Sequence, residues 1–362
     1  MNRRDFLRST SFAVASLALS KGELSFAQQA SADVWRKFEV TTRAEVLKPA
    51  GATKVWLPAA LIQETAFQQT ISNRFSADGG EARMVESSPA GMGIVVATFP
   101  AGVKPVLTLT SQVELKNYSV DLSKPGNARP LTSAQLAYFL QPKEHVPTDG
   151  IVKTTATDIT KGSKTDVDKA HAIYDWIVDN TFRDPKVRGC GRGDISSMLQ
   201  TGYLGGKCAD LNALYVGLAR AVGLPARDVY GIRVAKSELG YKSLGTSSEK
   251  ITKAQHCRAE VYLTQFGWVP VDPADVRKVV LEEPPGNRPL SDEMVTSARK
   301  RLFGSWEMNW MAYNFAQDVE LPGYTGAKLP FLMYPQAQTT EGTLDSLDPD
   351  NFKYEITARE LS

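Results

Sequence analysis

Within residues 208–221, Leu211, Leu214, Tyr215, Leu218 and Ala219 recur at the spacing of one helical face, directly after Gly205-Gly206-Lys207. This predicts an amphipathic helix with its apolar stripe inward and Cys208 in its first turn. Gly223-Leu224-Pro225 closes it, since a glycine cap followed by proline stops a helix. The pattern then changes to strands, predicted at 227–234, 256–263 and 268–272. Helices first and sheet afterwards restrict this part of the chain to an α+β fold and exclude a βαβ wind.

The surrounding sequence extends that reading. A helix is predicted over 164–180, with Ala170, Ile173, Trp176 and Ile177 on one face; the loop 183–194 after it carries Cys190 between two glycines. Asp194 reads as the N-cap of a further helix. Upstream, the period is two: Leu107, Leu109, Val113 and Leu115 alternate with Thr108, Thr110, Gln112 and Glu114. With further strands at 54–58 and 94–100, this predicts a β-sandwich domain over 34–122. A Pro-, Ser- and Gly-rich stretch over 123–150 reads as a linker, and 151–280 as the core domain. A C-terminal extension over 281–362 is expected to pack on that core, with a helix at 291–302 and strands near 310–319 and 353–357. A chain of 362 residues exceeds the usual size of one compact core, in keeping with this division.

The first 27 residues have the form of a signal peptide. Arg3, Arg4 and Arg8 precede an uncharged run over 9–20 that is too short to span a membrane, and Ser25-Phe26-Ala27 offers a cleavage site. Asn2-Arg3-Arg4-Asp5-Phe6-Leu7-Arg8 resembles the twin-arginine type, which implies bacterial export to the periplasm or beyond. No second apolar span follows, so no integral membrane segment is expected after signal removal. Removing 1–27 takes away four basic and two acidic residues, so the formal charge of +2 falls to zero. A neutral chain argues against nucleic-acid binding, which draws on an excess of Lys and Arg.

Chemistry concentrates around Cys208. A thiol at a helix N-terminus faces unpaired N–H groups and the positive end of the macrodipole, which favour the reactive thiolate. It needs a base, and among His145, His171 and His256 the last is the strongest candidate because it begins a predicted strand. Asp272, at the end of the next strand, is placed to orient the imidazole; Asp275 in the same turn is the neighbour that could replace it. Strand alternation sends Cys257 to the face opposite His256. Three cysteines in an oxidising compartment leave at least one unpaired, and a Cys190–Cys257 disulfide would leave Cys208 free. A metal site from Cys190, Cys208 and His256 lacks the short paired spacings of zinc motifs, so neither metal nor cofactor is expected. Tyr203, Trp268 and Trp310 are candidates for a substrate cleft or for the core.

Three blocks occur in one order: Gly206-Lys207-Cys208-Ala209-Asp210 with Arg220-Ala221-Val222-Gly223-Leu224-Pro225; His256 before Glu260-Val261-Tyr262-Leu263; and Gly267-Trp268-Val269-Pro270-Val271-Asp272. Together they resemble the bacterial transglutaminase-like superfamily over about 167–280. The resemblance implies a papain-like core with the nucleophile helix packed on an antiparallel sheet. It also implies that Cys208 is the nucleophile, His256 the general base and acid, and Asp272 the orienting partner. The chemistry would be thiolate attack on an amide, giving a thioester that water or an amine resolves. Hydrolysis is the preferred expectation, with amine transfer and a non-catalytic periplasmic peptide-binding module as alternatives. The expected partner is a peptide or amide substrate, with envelope proteins and peptidoglycan peptides among the candidates. Papain-like enzymes place an oxyanion-hole glutamine six residues before the cysteine; here that position is Gly202, and Trp176, Asn180 and Tyr203 remain open as donors.

Overall fold

The computed structural model describes residues 34–348 and 350–362. The signal-peptide reading of 1–27 lies outside the described residues. Two sheets form the N-terminal sandwich. One runs Phe352–Leu361, Arg36–Val46, Val106–Leu115, Gln68–Asp78; the other Gly342–Leu344, Gln336–Thr339, Thr53–Pro58, Met92–Phe99, Glu81–Ser87. The alternation over 106–115 appears as written, with Leu107 and Leu109, beside Phe352 of the same sheet, facing Val55, Val95 and Phe99 across an apolar interior.

The C-terminal section does more than pack on the core. Its last strand pairs antiparallel with the first, from Lys37 opposite Leu361 to Val46 opposite Phe352. Without it Arg36–Val46 would be a sheet edge with unpaired backbone groups. Trp310–Asn314 instead joins the core sheet, so the extension is divided between the two layers. Pairing across more than 300 residues leaves no local trace in sequence, which is why the section read as one unit. The 123–150 stretch is not a bare linker either. It holds a helix, Ser133–Leu140, started by a capping box between Thr132 and Gln135. Phe139 from this helix is buried, 4.8 Å from the Trp268 ring.

The core has the expected α+β class. Its antiparallel sheet runs Gly267–Val271, Gln255–Leu263, Ala226–Arg233, Trp310–Asn314. The cysteine helix, Cys208–Ala221, packs on this sheet and is flanked by Gly150–Ile159, Asp166–Asn180, Ile195–Thr201 and Pro273–Glu282. As a result all fourteen of its residues are buried, where the sequence suggested one apolar stripe. The helix can be buried all round because its polar residues have partners. Arg220, for example, donates to the Ala226 carbonyl and to Gln317 Oε1, each at 2.9 Å.

Candidate active site

The start of the cysteine helix is fixed by one carboxylate. Asp210 Oδ2 accepts the Lys207 N–H at 2.9 Å, while Oδ1 accepts the Arg192 and Gly193 N–H groups, each at 2.9 Å. Ala209 N–H donates to the Cys190 carbonyl at 3.0 Å, so the Cys190 loop is clamped across the first turn. Gly191 is required there: its φ is +96°, and a Cβ would stand 1.9 Å from Asp210 Oδ2. The clamp brings the Cys190 thiol to Cys208.

His256 lies on the strand beneath. Its Nε2 is 2.7 Å from Asp272 Oδ2 and 3.4 Å from Asp275 Oδ1, which leaves Nδ1 for the thiol. Asp272 uses its second oxygen as the N-cap of Pro273–Glu282, accepting the Asp275 N–H at 3.0 Å. The same oxygen accepts from Asn212 Nδ2 of the cysteine helix at 3.3 Å. The carboxylate is therefore locked on both sides. Asp275 is the more distant from the imidazole, and both its oxygens accept from Arg233 Nη2 at 2.6 and 2.8 Å. The His256 backbone is held in turn, since Trp310 Nε1 donates to its carbonyl at 2.9 Å. Gly231 makes room for that indole; a Cβ there would stand 2.4 Å from the Trp310 ring.

Charge follows from this packing. Burial pushes the His256 pKa down, but Asp275 and then Asp272 outweigh it and raise it to about 9. The Cys208 thiol is held well below its ordinary range by hydrogen bonds from Cys190 and Cys257 and by His256, against the cost of its burial. The Cys190 thiol is pushed up by its bond to Cys208 and by burial, the Cys257 thiol by burial and then by Cys208. The directions of these shifts favour a Cys208 thiolate beside a His256 imidazolium, while the Cys190 thiol donates to the Gln255 carbonyl at 3.5 Å. Burial, with Asp275 next, raises the Asp272 pKa; the Asp275 pKa is held well below the usual carboxylate range, because Arg233 and His256 together outweigh its burial.

All three cysteines are free and adjoin one another, so the arrangement differs from a Cys190–Cys257 bridge on the face away from Cys208. Alternation separates the first bonds of neighbouring side chains, not their ends; the helix start lies close enough for His256 and Cys257 both to reach its thiol. His256, Asp272 and Asp275 are the one set of metal-capable donors close enough together among the described residues, within 4.8 Å. Their oxygens are already committed to Arg233, to the helix cap and to the imidazole, so the donor set does not suit a cation.

Cys208 and His256 open on a cleft of about 720 Å³. His145 and His171 do not line it; His171 Nδ1 pairs with Asp175 at 2.9 Å on a helix surface. Nor do Trp176, Asn180, Tyr203, Trp268 or Trp310. Asn180 Nδ2 donates to the Trp176 carbonyl, and the Tyr203 hydroxyl to Asp184, so neither is brought to the thiol as an oxyanion donor. The aromatic wall comes from Tyr334, Phe352 and Tyr354 of the C-terminal section. Sequence reading missed these, together with Asn212 and Arg233, because none carries a motif and each acts only through tertiary contact.

Residues 153–273 match the model of the transglutaminase-like superfamily. An uncharacterized protein of Haemophilus influenzae is 34% identical over 344 residues, covering 90% of this chain and 91% of its own. The crystal structure of a candidate cysteine protease from Cytophaga hutchinsonii is similar at a TM-score of 0.51 and 16% identity, over 90% of this chain and 99% of that one. The periplasmic domain of TgpA from Pseudomonas aeruginosa aligns at a TM-score of 0.35 and 14% identity, over 67% of this chain and 88% of that one. With the superfamily match spanning both the cysteine helix and the His256 and Asp272 strands, and a relative covering nearly the whole length, the chain belongs to the transglutaminase-like superfamily.

Proposed function

We propose that this protein is an exported thiol hydrolase that cleaves an amide or peptide bond through a Cys208 thioester. The observation that carries this reading is the buried His256 imidazole held 2.7 Å from Asp272 Oδ2 and sharing one cleft with the Cys208 thiol, whose pKa its surroundings lower. The Cys208 thiolate attacks the carbonyl carbon, the C–N bond breaks, and His256 gives its proton to the departing amine. His256 then takes a proton from water, whose oxygen attacks the thioester carbonyl. The acid leaves and the thiolate returns. Asp272 keeps the ring oriented and stabilises its charged form throughout.

Hydrolysis is preferred to amine transfer because the thiol opens on a wide cleft that water can enter, and cross-linking needs water kept out. Export rests on the twin-arginine-type leader; among the described residues no helix is long and apolar enough to cross a membrane. The test is mass spectrometry of the products from a glutamine-containing peptide, with and without an added primary amine. Hydrolysed product with a transient acyl adduct on Cys208 is expected. Amine incorporation that outruns hydrolysis would replace hydrolase by transferase. Absence of any adduct, with Cys208 no more reactive to iodoacetamide than a free thiol, would favour a peptide-binding module.

A further inference from the structure

The lining of the Cys208 cleft has a strong charge bias in a protein whose chain, without residues 1–27, carries no formal net charge. Eight Lys and Arg side chains line it, and no Asp or Glu does. Four carboxylates outside the lining answer five of the eight. Glu282 pairs with both Arg183 and Lys278, Asp345 with Arg188, Asp275 with Arg233 and Glu355 with Lys250. Lys207, Lys253 and Lys353 have no ion-pair partner among the described residues. The Cys208–His256 pair is itself neutral overall, so it does not offset the excess.

The positions matter as much as the count. Lys207 immediately precedes the nucleophile, Lys253 lies in the loop leading into the His256 strand, and Lys353 is in the last strand of the sandwich. Unpaired cations thus line the Cys208 cleft from three separate segments that only the tertiary fold brings together. A concave site of one sign with low-dielectric walls focuses the field and draws in ligands of opposite charge. At about 720 Å³ the cleft holds a short peptide segment rather than a folded surface.

We propose that the substrate is an acidic peptide, with carboxylates flanking the amide that Cys208 attacks. This rests on the amide-hydrolase reading, which selects a peptide over a polyphosphate chain because a thiolate needs a carbonyl carbon to attack. Lys207, Lys253 and Lys353 would each receive a carboxylate without first breaking an existing pair.

Three peptides of identical length with one central scissile amide, flanked by Glu, Gln or Lys, test it. The Glu peptide should be turned over with kcat/KM about ten-fold or more above the Gln peptide, and the Lys peptide should be poorest. That advantage should shrink as salt is raised from about 20 to about 300 mM, where exposed charges are screened. Combining Lys253→Glu with Lys353→Glu should reverse the order; Lys253→Gln with Lys353→Gln should flatten it, guarding against a misfolded reversal variant. Equal or better turnover of the uncharged peptide overturns the proposal. Calorimetric titration of the Cys208→Ala chain with the same peptides separates the two readings. Tight binding of the Glu peptide alone, without turnover by the wild type, keeps the charge inference and removes the hydrolase. Indifferent binding removes the charge inference even if cleavage occurs. Displacement of the Glu peptide by an equal concentration of a thymidylate oligomer would overturn the choice of a peptide.

Discussion

The sandwich and the core sheet are both antiparallel, yet only the core sheet buries charged side chains among its apolar ones. Among the described residues, no charged side chain is buried in the sandwich strands, whose interior is built from residues such as Val55, Val95, Leu107 and Phe352. The core sheet and the turn after it bury Arg227, Asp228, Arg233, His256, Arg258, Glu260, Asp272 and Asp275. Removing such groups from water is costly, and pairing them recovers only part of that cost. The core retains them in cross-strand and strand-to-helix pairs, and the His256 pairs are the ones that set the thiol chemistry. Stability comes more simply from the sandwich; orientation and protonation come from the core.

The sharpest break in this comparison is Cys208→Ala. Turnover should fall about 10⁴-fold or more while the fold is kept, because the change deletes the reactive atom and leaves His256 its Asp272 and Asp275 partners. Asp275→Asn should act the other way, on the fold as well as the site. It leaves Arg233 buried without its counter-charge, and denaturant titration should show a loss of about 3–5 kcal/mol. The control is Glu39→Gln on the sandwich surface, whose partner Arg359 is 61% exposed; about 1 kcal/mol or less is expected.

Leu107→Ala tests the apolar side. It should cost about 2–5 kcal/mol and leave the rate at which iodoacetamide alkylates Cys208 unchanged. A parallel loss of thiol reactivity would mean that the two layers are coupled through Phe352, which belongs to the sandwich core and also lines the cleft.

The pH dependence is specific to the core. The folded His256 pKa of about 9 lies above the ordinary imidazole value of about 6.5. Its contribution to stability is therefore whole below about pH 6.5 and lost as the pH rises through about 9. Alkylation of Cys208 should be flat through neutrality and change near pH 9, because its thiol already lies well below the ordinary range. The smallest effect is expected for Cys190→Ala. It removes a polar neighbour that lowers the Cys208 pKa, which, read from thiolate absorbance against pH, should rise by about one unit or less.

These two regions also differ in how far they could be read in advance. The sandwich strands were legible because one face is apolar and the other wet, as over 106–115. Ala226–Arg233 is buried at all eight positions, charges included, so its alternation carries no hydropathy signal. The helix over Cys208–Ala221 was found by its spacing, but the burial of Asp210, Asn212 and Arg220 was not, since each depends on a partner distant in sequence. Asp272 was legible from its place at the end of a strand before Pro273; its double use as helix cap and imidazole partner was not.

By itself the sequence determined the order of helices and strands, the cysteine at a helix start, and the one histidine and one aspartate that two later strands bring beside it. Those are local properties, set by residue spacing, turn residues and caps. Tertiary structure decided the rest: that the last strand closes the sandwich on the first, that three cysteines come together, and that cations from three segments line the Cys208 cleft. Long-range pairing and buried charge are energies between groups far apart along the chain, and no local pattern records them.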